Sequence, residues 1–579
     1  MTMYELNFSD DFELYVDVYI DDLFTAKGQL LFRRNHGPCL SIEDNEWHYS
    51  LKRKKEELKK ANSRVKCTHK NDTYILYSND IHYNIIYPKF IVKANKEYSY
   101  SRFYMSIPGI LQFFNGARNF HFSDGELRKK IENDFLNISF NYDNKQYLLK
   151  ISHHFSISRN GSETKISEDA VICVEQSTGN IEFDDAKNLS FKILNFLSLI
   201  FGVSLSIKYI SLGGDENGTV YSPFYFISRY LESDTIDHPV KTLITHPSYI
   251  TKKNWSVMLN NFFSKKNKTE FEEVWTRFVS MYSYEGFWEY EILGYTSILD
   301  VYSQKLIDEK KTIKIPTRQM KDLKNDLISL INEKTKSILI NNKEYNDIIE
   351  SFCSHIQGFK NTLTPTFKER YLYVMSLVDE EFLSVLNFTD QDFTLLKSIR
   401  DAAAHGKPVK IHHGINGDNF NTVHVLLNKL VMLLSCLAFK KLGIPEKDFA
   451  KLIVHSHNAI KTNASLDELK LDIYAEEARV VNVDIDTFFN AKNLFSFDFA
   501  VLEDKNTGKI KFNDPVLMDM MINFKSISNG IFISDDFCQY VYEFYPSNSY
   551  YCVEIINKLY LVYNEEHKSV LNALWISIK

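Results

Sequence analysis

The spacing of hydrophobic residues changes along this chain, and that change limits the fold more than any other feature. Up to about residue 245, β-branched and aromatic residues gather in short runs, several of which alternate in polarity. The clearest are Phe12–Ile20 (FELYVDVYI), Lys27–Arg34 (KGQLLFRR), Thr73–Ser78, His82–Ala94 and Phe135–Ser158. Alternation places successive side chains on opposite faces of a strand. Turn-forming groups such as Asn35-His36-Gly37 and Arg159-Asn160-Gly161 separate the runs. Asp143-Asn144 falls inside the last run and predicts a hairpin there. A β-rich domain, sandwich or barrel-like with a few helices, is expected over 1–245.

From about 250 the apolar spacing becomes three and four residues, the period of a helix face. Phe287–Ile307, Gln319–Lys334, Glu344–Phe359, Phe367–Val378 and Phe420–Gly443 all carry it, and Gly443-Ile444-Pro445 ends the last. These segments predict an all-α bundle over 246–445. The remainder, 446–579, reads as mixed α/β without a functional signature. Phe495–Phe512 suggests a hairpin through Asn506-Thr507-Gly508, and Tyr550–Asn564 suits a helix or a pair of strands. The expected fold class is therefore α+β and multidomain.

Composition narrows the functional classes. A net charge of -7, from 68 basic and 75 acidic residues, excludes a polycation that coats nucleic acid, though not a local basic groove. The basic stretch Leu51–Lys66 (LKRKKEELKKANSRVK) reads as a solvated face before it reads as an RNA-binding arm. The 7 cysteines form no Cys-x-x-Cys pair, so neither a disulfide framework nor a structural zinc site is expected. The most apolar window, Leu189–Ile207, contains Lys192, Asn195 and Gly202. It predicts a buried helix running into a strand rather than a membrane span. The opening MTMYELNFSDDFELYV lacks the basic flank and apolar run of a signal peptide. A soluble, cytoplasmic protein is expected.

One segment carries a chemical signature. In Leu395–Gly414 (LLKSIRDAAAHGKPVKIHHG) three alanines separate Arg400-Asp401 from His405. Thr389 and Asp392 have the spacing of a capping box. Phe393, Leu396, Ile399 and Ala403 form an apolar face, Gly406 suits a left-handed helix end, and Pro408 prevents continuation. Lys397, Asp401 and His405 stand four apart on the other face, where Asp401 could orient the imidazole of a general base. Arg400 lies about 140° around an ideal helix from His405. The two meet only if Arg400 reaches around, the helix end loosens, or a second copy completes the site. Ala402, Ala403 and Ala404 would allow a close approach by another helix. His412-His413 raise a metal site, but adjacent histidines without a nearby acid or cysteine are a poor set; no metal or cofactor is expected. His153-His154 would point to opposite faces of a strand. Asp300 is an acid among apolar residues, and either supports the site or faces solvent.

Arg400-Asp401-Ala402-Ala403-Ala404-His405 resembles the R-x4-6-H motif of HEPN ribonucleases, with its polar second position and its place late in a helical bundle. The layout, including Lys27–Glu43 (KGQLLFRRNHGPCLSIE), resembles the ApeA-type anti-phage HEPN proteins. The resemblance implies a metal-independent endoribonuclease in which the ribose 2′-hydroxyl attacks the adjacent phosphate, leaving a 2′,3′-cyclic phosphate. His405 would move the proton, Arg400 would stabilise charge on the phosphate and Asp401 would orient. Lys397, Lys407 and Lys410 would hold the RNA backbone. It also implies a homodimer through the bundle, a phage-derived trigger sensed by the N-terminal domain, and a toxin that acts in abortive infection on RNA such as tRNA. The competing reading is a non-catalytic HEPN scaffold that binds RNA or protein without cutting.

Overall fold

The computed structural model describes residues 7–20, 23–43, 65–115, 120–123, 126–129, 134–160, 163–214, 220–228, 230, 242–244, 250–308, 313–338, 343–359, 362–363, 365–407, 418–490, 499–513, 515–527, 539–540 and 550–578. The charged stretch Leu51–Lys66 lies outside them up to residue 64, and Val65-Lys66 open a strand.

The N-terminal half is the expected β-rich unit. Strands β1 (Phe12–Ile20), β2 (Leu23–Phe32), β3 (Cys39–Ile42), β4 (Val65–His69), β5 (Asp72–His82) and β6 (Ile85–Lys93) pair antiparallel in the circular order β1-β2-β3-β6-β5-β4. This closes a six-stranded barrel and removes its sheet edges. Strand β6 serves two partners along one edge: Ile85-Ile86 face β3, and Ile91-Val92 face β14. Through that junction the barrel continues into a second sheet of β7 (Tyr100–Ser106), β10 (Leu136–Tyr142), β11 (Lys145–Asn160), β12 (Glu163–Gln176), β13 (Tyr209–Gly214) and β14 (Val220–Tyr225), in the order β10-β11-β12-β7-β13-β14. Strands β8 (Phe120–Ser123) and β9 (Glu126–Lys129) form a separate hairpin. The predicted turn at Asp143-Asn144 joins β10 to β11 in two residues, both with positive φ (46° and 66°), as a tight hairpin of the favoured twist requires.

Helix α1 (Ile110–Asn115) leads to the β8–β9 hairpin, and α2 (Phe183–Phe201) is the greasy helix foreseen from the sequence. Gly202 ends α2 in the left-handed conformation and β13 follows. Aromatic contacts run from the sheets into the bundle. Phe183 meets Phe90 and Phe224 on the strands, and Phe196 meets Phe262 of α3 (Lys252–Phe263). Phe263 in turn packs on Phe140 of β10 with ring centroids 4.6 Å apart.

The helical region contains α4 (Trp288–Asp308), α5 (Thr317–Ile338), α6 (Lys343–Gly358), α7 (Phe367–Met375), α8 (Glu380–Leu386), α9 (Asp390–Ala404) and α10 (Asp418–Leu442). A helical stretch with a π-turn at Phe271–Trp275 precedes α4. Helix α10 is the central member: from Leu426 to Phe439 every residue is buried. Its segment Asn421–Leu442 is long and apolar enough to cross a membrane by length and composition, and 83% of that window is buried inside the fold. Three short helices, α11 (Glu446–Ile453), α12 (Ala459–Asn463) and α13 (Glu468–Tyr474), add to the same core. That core is continuous from Phe8 to Ala475. The bundle thus extends past the boundary expected near 445.

Helices α5 and α6 depart from the bundle. They are helical as foreseen, but none of the described side chains of α5 is buried, and Leu323, Leu330 and Phe352 are exposed. They lean on each other, with Lys324 Nζ donating to the Gln357 carbonyl. A ladder of β15 (Ile313–Lys314) and β16 (Thr362–Leu363) ties their base.

The tail forms a five-stranded sheet among the described residues. Strands β17 (Ala478–Asn482), β18 (Ala500–Asp504), β19 (Ile510–Phe512), β20 (Tyr550–Tyr563) and β21 (Glu566–Ile578) take the order β17-β20-β21-β18-β19. The β18–β19 hairpin matches the expectation. Tyr550–Tyr563 does not: it is one long strand paired with β21 rather than a helix or a strand pair. Its exposed polar residues and buried Ile556, Leu559 and Leu561 fit one face of a sheet, and the long partner β21 keeps it extended.

Candidate functional site

Helix α9 carries the signature residues, and its position is fixed at both ends. At the start, Thr389 Oγ1 accepts from the Asp392 N–H at 3.1 Å, and the Asp392 carboxylate accepts from the Thr389 N–H at 2.9 Å. The capping box is complete, with Asp in place of the commoner Glu. Phe393, Leu396 and Ile399 are buried, and Phe393 stacks on Tyr371 of α7 at 4.0 Å. Burial, with Asp390 and Asp392 nearby, pushes the Tyr371 hydroxyl pKa upward. Lys429 of α10, itself buried, donates to the Asn387 carbonyl and approaches Asp392 at 3.5 Å.

At the end, His405 is the C-cap with φ −99° and ψ 7°. Gly406 follows at φ 62°. The Lys407 N–H returns to the Ala402 carbonyl at 2.9 Å and the Gly406 N–H to Ala403 at 3.2 Å. This is a Schellman ending, which satisfies carbonyls the helix would otherwise leave open. A Cβ on Gly406 would meet nothing within 4 Å, so glycine is required there by backbone conformation and not by crowding.

Arg400 is held between helices. Its Nη2 donates to Asp300 Oδ2 at 3.2 Å and its Nη1 to Asp401 Oδ1 at 3.2 Å. The guanidinium carbon lies 5.0 Å from the centre of the Phe367 ring, a cation–π arrangement. The second oxygen of Asp300 accepts from Arg370 Nη2, and Arg370 Nη1 donates to the Pro365 carbonyl at 2.6 Å. Asp300, from α4, therefore supports the arginine rather than facing solvent. Arg370 and Phe367 were not legible in the sequence, since nothing in their spacing ties α7 to the signature. Asp300 carried a signal: a charge within an otherwise apolar helix face asks for a buried partner.

His405 is exposed, and among the described residues its imidazole makes no hydrogen bond or ion pair. The expected Asp401–His405 contact is not formed. The backbone leaves helical geometry at His405, which ends the four-residue register, and Arg400 takes the Asp401 carboxylate. Nor does Arg400 meet His405: it is bound toward α4 and α7. Ala402 and Ala403 are half-buried and Ala404 is exposed, so this end of α9 is open to a neighbour. Lys397 and Lys407 are exposed. Lys410, Pro408, His412 and His413 lie outside the described residues.

A shallow open depression of about 450 Å³ runs along the outer face of α9, lined by Asp390, Gln391, Thr394, Leu395 and Ser398. Helical period continues this face through Asp401 and Ala402 to His405. No group of three His, Cys, Asp or Glu able to hold a metal ion occurs among the described residues. His153 pairs with Glu168 at 3.2 Å, and His154 lies opposite Asp169 in the β11–β12 ladder.

Comparison with protein-family models, curated proteins and solved structures returned no match.

Proposed function

We propose that this chain is a metal-independent endoribonuclease of HEPN type, acting through Arg400 and His405 across a pair of copies. One observation carries the reading. Helix α9 ends in an exposed imidazole that has no partner among the described residues, while five residues earlier the same helix presents a guanidinium set in place by two carboxylates and a ring. An imidazole is the side chain most often used to take and return a proton in general acid–base catalysis. A guanidinium with five N–H donors, two of them used by Asp300 and Asp401, keeps three for phosphate oxygens.

The reaction follows from those groups. His405 takes the 2′ proton as the 2′ oxygen attacks phosphorus, and the resulting imidazolium returns that proton to the 5′ oxygen as the phosphorus–O5′ bond breaks. Arg400 offsets the charge that grows on the phosphate oxygens. Lys397 and Lys407 attract the backbone. DNA lacks the attacking hydroxyl and is not cut. Because Arg400 and His405 face different ways on one helix, the groove is composite: Arg400 of one copy works with His405 of the other, and the small residues Ala402–Ala404 admit the second α9. The biological setting, a cytoplasmic defence toxin against phage with the barrel half as the sensor, rests on the resemblance alone.

The test is cleavage of total bacterial RNA by the purified chain. Fragments with cyclic-phosphate ends that vanish in His405→Ala support the reading. RNA bound with equal affinity by wild type and His405→Ala, and never cut, supports the scaffold instead.

A further inference from the structure

The nuclease signature contains nothing from α4 or α7, yet both helices hold its arginine. Asp300 bridges two guanidiniums, with one oxygen on Arg400 and the other on Arg370. The three side chains are 22%, 25% and 16% exposed respectively. At that burial their charges are poorly screened, so each fixes the others more firmly than a surface pair would. Arg370 is itself tied to the backbone at Pro365, just before α7 begins. Capping of α7 fixes that point, because Thr366 and Glu369 complete a capping box. The chain of contacts runs from the Pro365 carbonyl through Arg370 and Asp300 to Arg400. Phe367, on the same turn of α7, supplies the ring beneath the Arg400 guanidinium.

We infer that Asp300 and Arg370 are positioning residues for Arg400: Asp300 sets the plane and reach of its guanidinium, and Arg370 holds Asp300 in the rotamer that does so. The inference rests on the nuclease reading for its kinetic consequence, but not for its geometry. Without Arg370, the second oxygen of Asp300 loses its partner and the carboxylate can turn. Without the Asp300 charge, Arg400 keeps the Phe367 ring and, of its two carboxylates, only Asp401, an adjacent residue on the same helix end. In either case the donors left for phosphate no longer point in one direction. Misplacement of that size costs about 10- to 100-fold in rate. The cost falls on kcat, since the RNA is still bound through its other phosphates.

Two readouts on Asp300→Asn, Arg370→Gln and Arg370→Lys test this. The first needs no activity. Arginine-selective dicarbonyl labelling followed by mass spectrometry measures how firmly Arg400 is held. Arg479, paired with Glu554 on the tail sheet, serves as the internal reference. Labelling of Arg400 relative to Arg479 is expected to rise about fivefold or more in Asp300→Asn and Arg370→Gln, and less in Arg370→Lys, which keeps a cation for Asp300. An unchanged ratio overturns the inference. The second readout is RNA cleavage. A fall in kcat with KM nearly constant, partly restored in Arg370→Lys, is expected when each variant is assayed well below its own thermal midpoint. Normal kcat in a variant whose Arg400 labelling has risen also overturns it. If the wild type cuts no RNA, the nuclease reading fails, and the labelling still decides whether Asp300 and Arg370 hold Arg400.

Discussion

In the first turns of α9 the cap and the buried face have partners. Thr389 and Asp392 satisfy each other's backbone, Lys429 closes on Asn387, and Phe393, Leu396 and Ile399 enter the core. The last turn satisfies its backbone through Gly406 and Lys407 but leaves side chains open, with Ala404 and His405 exposed. Arg400 stands at the junction and belongs to the first kind: it is clamped by Asp300, Asp401 and Phe367. The difference separates two tasks. A charge that must meet a phosphate in one orientation gains from being fixed, whereas a proton carrier at an incomplete site gains from being accessible. On the proposed function, the Arg400 half of the groove is preorganised within the chain and the His405 half is completed by a second copy.

Substitution at either end should abolish the reaction while separating in stability. Arg400→Ala and His405→Ala are each expected to lower RNA cleavage about 10²- to 10⁴-fold, the range for losing an acid–base group or a charge stabiliser. Thermal unfolding should distinguish them. His405→Ala removes no hydrogen bond or ion pair formed among the described residues and is expected to leave the midpoint in place, while Arg400→Ala leaves Asp300 and Arg370 unbalanced and lowers it. Equal midpoints would break the contrast between the two ends.

Mixing the two inactive variants asks where the halves meet. If each groove takes Arg400 from one copy and His405 from the other, half the dimers in an equal mixture are hybrids, and each hybrid has one intact groove of two. Cleavage should then recover to about a quarter of the wild-type rate for a two-fold symmetric pair. No recovery would place both residues of a groove on one chain.

Stability effects follow in decreasing order. Leu396→Ala, at a fully buried position, is expected to cost about 2–5 kcal/mol by denaturant unfolding. Gly406→Ala should cost about 1–2 kcal/mol, because φ 62° strains any side chain although space is open. Thr389→Ala should cost about 1 kcal/mol through loss of the cap. Ala404→Ser, on the exposed end, should change stability by about 0.5 kcal/mol or less. A large effect at Ala404 would mean that this end is already packed, and would contradict the reading of an open surface.

Local signals in the sequence are legible where local physics decides the outcome. The capping box, the Gly406 ending, the apolar face of α9 and the turn at Asp143-Asn144 each depend on residues close in sequence. Non-local choices were not legible. Periodicity assigned Gln319–Lys334 and Glu344–Phe359 to the bundle, yet these helices pack on each other outside its core. An amphipathic face shows that burial is favourable, not against what. Tyr550–Tyr563 became one strand because β21 runs beside it, and only the partner reveals that. In the site, Asp401 went to Arg400 rather than His405, since the four-residue rule holds only while the helix lasts. Arg370 could not be foreseen, because its role depends on α7 lying across α4.

Under the proposed function, Arg400 and His405 cut RNA without a metal. The most direct measurement incubates the purified chain, and Arg400→Ala beside it, with total bacterial RNA in EDTA and determines the fragment ends. The proposed function requires 2′,3′-cyclic phosphate and 5′-hydroxyl ends with the wild type and intact RNA with the variant. Fragments with 3′-hydroxyl ends, cleavage that stops in EDTA, or equal cutting by Arg400→Ala would contradict it.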